Sequence, residues 1–311
     1  MADVTVERWG IRFSSPVVLA SGPAGFGVEL AGHVDLTRVG ALTAKTVTPE
    51  PRAGNPQPRL VDCPAGALNS IGLDNPGLEL FRESVLPKLD QLATQVIVSV
   101  TAPSPDGLAR AVGSLAEVKA VRLIELNLSC PNVEGGLIGA DERAVRGFVR
   151  AARNAFRGVL LAKLPGDAGD LLSSTGAALE SGADGITLIN SLRGMRVDRS
   201  TGRPFLKNVF GGLSGPAILP IALARVYDVR RAFPEAVIVG TGGVVEIGGV
   251  VEMLMAGADL VGIGFGLMAD PQVGPRLTGE LARWLDERGM QSVSEIFATA
   301  LRGDLGVPGT A

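Results

Sequence analysis

Polar side chains that can bind or activate a ligand stand where mainly apolar runs of the sequence end. Lys45 and Lys163 close two such runs, and Asn127 and Asn190 close two others. An unpaired ammonium group buried at a strand end costs several kcal/mol, so each lysine needs an acceptor, which a bound ligand can supply. The alternative is pairing with carboxylates of neighbouring strand ends, although Glu125 is the only carboxylate within these runs of sequence.

Two glycine loops late in the sequence predict a surface for an anion. They are Thr241-Gly242-Gly243-Val244, which precedes a helical pattern, and Gly262-Ile263-Gly264-Phe265-Gly266. Glycine leaves backbone N–H groups unobstructed, and a helix N-terminus attracts negative charge. We expect a phosphate group here, with two ordinary turns as the alternative.

One thiol lies beside these strand ends. Cys130 lies in the turn Asn127-Leu128-Ser129-Cys130-Pro131-Asn132 and is a candidate nucleophile, proton-transfer base or small buried residue. A thiol suits the removal of a weakly acidic carbon-bound proton when a hydride leaves in the same step. His33, the only imidazole, lies in a stretch that is predicted helical, 29–34, and is interpreted as structural, which argues against a papain-like Cys–His pair. Cys63 is interpreted as an inert thiol.

Short β-branched runs alternate with amphipathic runs, a pattern typical of βα units and a parallel sheet. The predicted strands are Val17–Ala20, Ala41–Thr46, Val96–Val100, Leu123–Leu128, Val159–Leu164, Gly185–Ile189, Val237–Gly240 and Leu260–Ile263. The predicted helices are Pro105–Lys119, Asp141–Phe156, Asp167–Glu180, Pro216–Phe233, Glu246–Met255 and Pro271–Arg288. Eight strands of equal rank favour an α/β fold of the (β/α)₈ TIM-barrel type, whose strand ends share one mouth. A doubly wound sheet is the alternative, although no Gly-x-Gly-x-x-Gly follows the first strand.

The barrel is predicted to form a single domain over residues 1–311, because no linker or composition break divides the sequence. Long loops are predicted after three strands, at Val47–Asn75, Ser129–Ala140 and Ser191–Gly215. Insertions of this length in a compact domain are usually binding loops.

Composition excludes several classes of function. The 29 basic and 32 acidic residues give a net charge of −3, without the basic stripe that nucleic acid requires. No apolar run reaches the length of about 18 residues that a membrane span needs. Two cysteines and one histidine are too few for a four-ligand zinc site, so we expect no metal. The first residues resemble no secretory leader, and we expect a cytoplasmic protein.

Eight segments of the sequence occur in an order typical of one enzyme family. They are Leu19–Gly22, Ala44–Thr48, Pro49–Pro56, Leu68–Gly77, Asn127–Val133, Leu188–Ser191, Gly211–Ala217 and Gly240–Val244. On these motifs the sequence resembles the dihydroorotate dehydrogenase family, and within it the catalytic subunits of class 1B. The resemblance runs from about Ile11 to Leu301.

The resemblance implies an FMN-dependent oxidoreductase that converts (S)-dihydroorotate to orotate in pyrimidine biosynthesis. Cys130 matches the base that removes the proton from carbon 5 while hydride passes from carbon 6 to nitrogen 5 of the flavin. The matched substrate-binding positions are Lys45, Asn69, Ile71, Gly72, Leu73, Asn127, Asn132, Asn190 and Ser191. The matched FMN-binding positions are Ala20, Ser21, Gly22, Lys45, Thr46, Ser99, Asn127, Lys163, Ile189, Gly215, Gly242, Gly243, Gly264 and Phe265. Lys163 is expected beside the flavin pyrimidine ring, where it would stabilise the negative charge of the reduced ring.

The resemblance also implies partners. Class 1B relatives use a separate subunit with FAD and an iron–sulfur cluster to reach NAD, whereas class 1A relatives pass electrons to fumarate. This sequence has too few cysteines for its own cluster and no dinucleotide fingerprint. We therefore expect a homodimer that associates with such a subunit.

Four positions depart from the family pattern. Ser99 stands where asparagine is usual, Phe265 where a small hydroxyl residue is common, and Arg193 and Arg196 where apolar or small residues are ordinary. The arginines are interpreted either as exposed, solvated side chains or as contacts to a substrate with extra negative charge in a related FMN oxidoreductase. A sugar-phosphate lyase or isomerase and a non-enzymatic flavin-binding module are the alternatives from other classes.

Overall fold

The computed structural model describes residues 1–129, 138–167 and 169–303. Its strands are β1 (Val6–Arg8), β2 (Ile11–Phe13), β3 (Val17–Leu19), β4 (Ala41–Thr43), β5 (Leu60–Cys63), β6 (Gly66–Asn69), β7 (Gln95–Val100), β8 (Leu123–Asn127), β9 (Val159–Lys163), β10 (Gly185–Leu188), β11 (Leu192–Met195), β12 (Phe210–Ser214), β13 (Val237–Thr241) and β14 (Leu260–Ile263). Its helices are α1 (Leu78–Leu80), α2 (Leu86–Leu89), α3 (Pro105–Ala116), α4 (Glu142–Ala155), α5 (Leu171–Glu180), α6 (Leu219–Ala232), α7 (Ile247–Met255), α8 (Phe265–Ala269), α9 (Val273–Asp286) and α10 (Thr299–Gly303). Across the described residues, no helix has the length and apolar composition that crossing a bilayer requires.

In the described residues, eight parallel strands close into a barrel in the order β3, β4, β7, β8, β9, β10, β13 and β14. The prediction of a (β/α)₈ TIM barrel is confirmed, and each predicted strand overlaps one barrel strand. The register pairs Asn127 with Lys163 and Leu188 with Gly240, so the strand ends lie level with one another. We call this C-terminal end of the barrel the mouth.

A hairpin of β1 and β2 covers the opposite end of the barrel. The indole N–H of Trp9 donates to the carbonyl of Asp184 at 2.9 Å, just before β10 begins. Phe13 is fully buried and packs edge-on against Trp9, with ring centroids 6.3 Å apart. These apolar rings cover the floor of the barrel, at the end opposite the mouth.

Two of the predicted long loops contain strands that the sequence pattern did not indicate. Segment 47–75 contains β5 and β6, and segment 191–215 contains β11 and β12. The four strands form an antiparallel sheet in the order β11, β12, β6 and β5, which we call the insertion sheet. A lone hairpin is marginal in water, and each of these hairpins is completed only by the other, far away in sequence. The third predicted loop, 129–140, is described only at 129 and at Ile138–Ala140, which is a 3₁₀ turn.

The predicted helix at 29–34 was also wrong. Successive turns occupy this part of the described chain, with the N–H of Leu30 bonded to the carbonyl of Gly27 at 3.1 Å and that of His33 to Leu30 at 2.9 Å. Gly27, just before this segment, has a left-handed φ of 86°, so no helix enters the segment from the preceding residues, and six residues are too few to nucleate one alone. His33 is exposed, and its backbone carbonyl accepts a hydrogen bond from Gln272.

The turns before β10 and β14 each place an aspartate against an arginine of a nearby helix, α4 and α6 respectively. Asp184 accepts from Arg153 at 2.8 Å, and Asp259 accepts from Arg230 at 2.6 Å. The same Asp259 oxygen accepts the backbone N–H of Ile238 at 2.7 Å, so the pair joins α6 to β13. Arg230 and Asp259 are 5% and 4% exposed, which makes this pair part of the interior.

Replacing Arg230 with alanine is expected to lower the free energy of unfolding by about 3 kcal/mol, the lower end for a broken buried ion pair, because Asp259 Oδ2 loses its guanidinium partner while Oδ1 keeps Arg8 at 2.6 Å. The matched control is Arg146→Ala, which removes an exposed ion pair with Glu180 and should cost about 1 kcal/mol or less. Urea unfolding of both variants measures the two losses, and equal losses would contradict the prediction.

Candidate active site

The barrel interior below the mouth holds two buried groups of opposite charge. Lys163, at the end of β9, is 8% exposed, and Glu125, on β8, is 2% exposed. Both line a cavity of about 10 Å³, together with Ser21 and Thr187. Among the described residues no carboxylate oxygen lies within 4.0 Å of the Lys163 ammonium, so the alternative of strand-end ion pairs is not realised there. The ammonium remains available to a ligand.

Hydrogen bonds join the polar strand ends into one network. Thr46 Oγ1 and Ser99 Oγ are 2.9 Å apart, and Asn127 Nδ2 donates to Thr46 at 3.1 Å. Asn190 Nδ2 donates to Ser129 Oγ at 2.6 Å. We call the full set the mouth network, and its members are Ser21, Thr46, Ser99, Glu125, Asn127, Ser129, Thr187 and Asn190. Most of the predicted polar ligand-binding residues of the barrel strands therefore meet here.

The insertion sheet brings a second pair of predicted residues together. Asn69, at the end of β6, donates through Nδ2 to the carbonyl of Gly212 at 3.2 Å. A Cβ built on Gly212 would lie 2.0 Å from Ser191 Oγ and 3.7 Å from Asn69 Nδ2. Gly212 therefore leaves space in which the side chains of Asn69 and Ser191 face each other.

Replacing Gly212 with alanine is expected to weaken substrate affinity by about tenfold, because the added methyl group displaces Ser191 and narrows the approach to Asn69. The control is Gly113→Ala in α3, where a Cβ meets only Ala155 at 3.9 Å. Steady-state KM values for both variants test this. A KM for the Gly212 variant equal to that of the control would contradict it.

The two glycine loops lie at adjacent strand ends of the mouth. Gly242 and Gly243 follow β13 with φ values of 135° and 79°. A Cβ on Gly243 would lie 2.5 Å from the backbone nitrogen of Leu219, so only glycine fits there. Gly264 follows β14, and a Cβ on it would meet only Ala20, at 3.9 Å. The backbone at Gly264 is thus open to a bound group beside β3.

The remaining predicted residues surround these groups. Lys45 is half-buried after β4, and its backbone N–H donates to Gly25 at 2.8 Å. Ile189 is 3% exposed, and its N–H bonds to Thr241 at 2.8 Å. Ala20 and Gly22 follow β3, the segment Ile71-Gly72-Leu73 follows β6, Gly215 follows β12, and Phe265 begins α8. Cys130 and Asn132 lie outside the described residues.

Sequence reasoning did not assign Ser129, Thr187 or Gly212 to the site. Ser129 lies between Asn127 and Asn190, accepting from one amide and donating to the carbonyl oxygen of the other. Its position two residues after a strand-end asparagine was a usable signal. The need for glycine at 212 depends on Ser191, which is distant in sequence, and had no such signal.

Both unusual arginines have partners within the described chain. The guanidinium carbon of Arg193 lies 3.5 Å from the centre of the Phe210 ring, and that of Arg196 lies 4.9 Å from the centre of the Phe205 ring. Arg196 also donates to the carbonyl of Asp62. Stacking on aromatic rings gives both arginines contacts within the protein.

The site combines glycine loops for an anion with a buried ammonium for an electron-rich group, inside a TIM barrel. This fold and this set of residues are typical of barrel proteins that bind a phosphorylated cofactor. A family model described as dihydroorotate dehydrogenase matches residues 3–285. The chain belongs to the dihydroorotate dehydrogenase family, as the sequence motifs predicted.

Similar proteins support this assignment. The chain is 42% identical over 298 residues to "Dihydroorotate dehydrogenase B (NAD(+)), catalytic subunit" of Listeria monocytogenes serotype 4a (strain HCC23), covering 95% of this chain and 98% of that one. A protein of the same description from Desulforudis audaxviator is 39% identical over 295 residues, covering 94% and 96%. Ligand-free DHODH from Eimeria tenella has the same fold, with a TM-score of 0.80 at 22% identity over 96% of this chain and 92% of that chain.

Proposed function

We propose that the chain oxidises (S)-dihydroorotate to orotate for pyrimidine biosynthesis, with FMN as its cofactor. The observation that carries this proposal is the family match over residues 3–285, joined to a mouth that fits FMN. The fit rests on Lys163, a buried ammonium without a described partner, and on the open backbone at Gly264. The ammonium suits a ring that gains negative charge, and the glycine loops suit the phosphate.

The residues divide between cofactor and substrate. FMN, when bound, accepts the hydride from carbon 6 of the substrate. We assign cofactor contacts to Lys163, to Thr46, Ser99 and Asn127 of the mouth network, and to the glycine loops. We assign the substrate ring and carboxylate to Asn69, Asn127, Asn190 and Ser191, whose amide and hydroxyl groups hydrogen-bond to its oxygen atoms. Cys130 takes the proton from carbon 5, a role that rests on the family motif.

The direct test is optical. Purified protein is expected to be yellow, with an absorption band at about 450 nm, and anaerobic dihydroorotate should bleach that band as the bound ring is reduced. Orotate is the expected product. Colourless protein that cannot be reconstituted with FMN would contradict the proposal and favour the sugar-phosphate alternative, and unbleached yellow protein would favour a different substrate.

We also propose that NAD is the final electron acceptor and that a separate subunit with FAD and an iron–sulfur cluster delivers the electrons to it in the cytoplasm. Support comes from the relatives, which are described as NAD-type catalytic subunits. The isolated chain is expected to reduce no NAD, and addition of the partner subunit should restore NAD reduction. Rapid NAD reduction by the isolated chain would contradict this.

A homodimer is proposed from the surface of the insertion sheet. Met195 and Phe210 lie opposite each other in the β11–β12 register and are 49% and 42% exposed, while Leu60 on β5 is 47% exposed. Met195 and Phe210 form one exposed apolar pair, and exposed apolar patches mark association surfaces. Sedimentation of wild-type protein should give a dimer, and Phe210→Glu should shift it to monomer, with a wild-type dimer in the variant as the contrary result.

A further inference from the structure

Glu125 is a buried carboxylate for which the proposed reaction has no use. The buried charged side chains of the described residues are Glu125, Lys163, Arg230 and Asp259. Arg230 and Asp259 close on each other at 2.6 Å. In contrast, no cationic nitrogen of the described chain lies within 4.0 Å of the Glu125 carboxylate, which is bonded to hydroxyl groups instead.

Both oxygens of this carboxylate accept from hydroxyl groups. Thr187 Oγ1 donates to Oε2 at 2.9 Å, and Ser99 Oγ donates to Oε1 at 3.4 Å. A carboxylate only accepts, and a serine has a single hydroxyl proton. A buried carboxylate without a cationic partner favours every available donor, and when Ser99 directs its proton to Glu125, Thr46 is the donor in the 2.9 Å contact between Thr46 and Ser99.

The network of hydrogen bonds continues from Thr46 up to the mouth. Thr46 donates its only hydroxyl proton to Ser99, and its oxygen accepts from Asn127 Nδ2 at 3.1 Å. Asn127 Oδ1 accepts from Ser129 Oγ at 2.9 Å, and Ser129 in turn accepts from Asn190 Nδ2 at 2.6 Å. Every hydroxyl and amide donor in this sequence points away from the mouth and towards Glu125.

We propose that Glu125 is the positioning residue of the mouth network, the terminal acceptor that sets the direction of the Ser99 and Thr46 hydroxyl groups above it. Asn127 and Asn190 each use one amide N–H within the network and keep the second for an acceptor atom of the ligand. The proposal rests on the proposed function, since the ligand concerned is the substrate and its product. It adds a residue that touches neither of them.

Glutamine at position 125 would disturb this direction without changing the shape of the side chain. Its amide has one accepting and one donating group, so one of the two hydroxyls that meet it must reverse. The longer and weaker hydrogen bond, at 3.4 Å to Ser99, is the one whose direction reverses. Thr46 then receives protons from both Ser99 and Asn127, and its own proton has only the 3.4 Å contact to Ser21.

A double-mutant cycle on the FMN-loaded protein tests the route from Glu125 to the ligand. Orotate dissociation constants are measured from the change in flavin absorbance for the wild type, Ser99→Ala, Glu125→Gln and the double variant. In the wild-type background Ser99→Ala is expected to weaken orotate binding about fivefold, the effect of one lost hydrogen bond. In the Glu125→Gln background the same change is expected to cost less than about twofold, since the ordered route is already broken.

Thr187→Val is the matched control. Thr187 bonds to the same carboxylate but lies outside the route to the mouth, so Ser99→Ala should still cost about fivefold in its background. An equal cost of Ser99→Ala in the wild-type and Glu125→Gln backgrounds would overturn the proposal. If Glu125→Gln does not fold, Glu125→Asp takes its place, because its side chain is one methylene shorter and withdraws the carboxylate from Ser99, and an equal cost of Ser99→Ala in the wild-type and Glu125→Asp backgrounds would overturn the proposal. Protein that binds no FMN or no orotate in the wild-type form would instead refute the proposed function.

Discussion

Replacing Cys130 with alanine is expected to slow reduction of the bound flavin by dihydroorotate by about 10²- to 10⁴-fold, the usual contribution of a positioned general base. No imidazole can substitute, because the sequence has one histidine, His33, and it lies in the exposed turns before β4. The carbon 5 proton would then have to leave to solvent. Stopped-flow absorbance measures the rate, and orotate affinity should stay within about threefold of wild type since the amide groups are untouched.

The sequence provides its own control, because Cys63 is the other thiol of the chain. Cys63 ends β5 at the edge of the insertion sheet and pairs with Gly66. Cys63→Ser should therefore reduce its flavin at the wild-type rate. A flavin reduction rate of Cys130→Ala within about tenfold of wild type would show that another group takes the proton. Slow flavin reduction in Cys63→Ser would assign the role of the base to Cys63 instead.

The barrel was predictable because its signal is local and repeated. Each strand is a short apolar run, and Asp170 before α5 and Ser104 before α3 cap helices close to where the sequence pattern starts them. The insertion sheet was not predictable in the same way. Its central pairing joins β6 to β12, which lie more than a hundred residues apart, and neither strand has a strict alternation of polar and apolar residues.

The candidate site also has some features with a local sequence signal and others that depend on contacts between distant residues. Strand-end residues such as Lys163 and Asn127 could be predicted, because a closed barrel brings all strand ends to one mouth. The role of Glu125 could not, since it depends on which oxygen faces Ser99 and which faces Thr187. Hydrogen-bond direction follows from three-dimensional contacts between strands, and the sequence carries no local record of it.

Replacing Lys163 with methionine is expected to make the midpoint potential of bound FMN more negative by about 60 mV, about a 100-fold change for a two-electron couple. The ammonium is 8% exposed and has no described partner, so its charge acts in a poorly solvated setting. In this setting the ammonium stabilises the reduced flavin ring, which gains negative charge with the hydride. Methionine retains most of the side-chain volume and removes only the charge. Spectroelectrochemical titration of the bound flavin measures the shift.

Lys88→Met on α2 is the matched control, because Lys88 is exposed and any effect of its charge is screened by solvent. Its potential should equal that of the wild type. An unchanged potential in Lys163→Met at full FMN content would show that the ammonium does not face the ring, and a more positive potential would reverse the assigned role. Glu125 is present in all three proteins, so a difference confined to Lys163→Met reports the charge of Lys163 and not the direction of the mouth network.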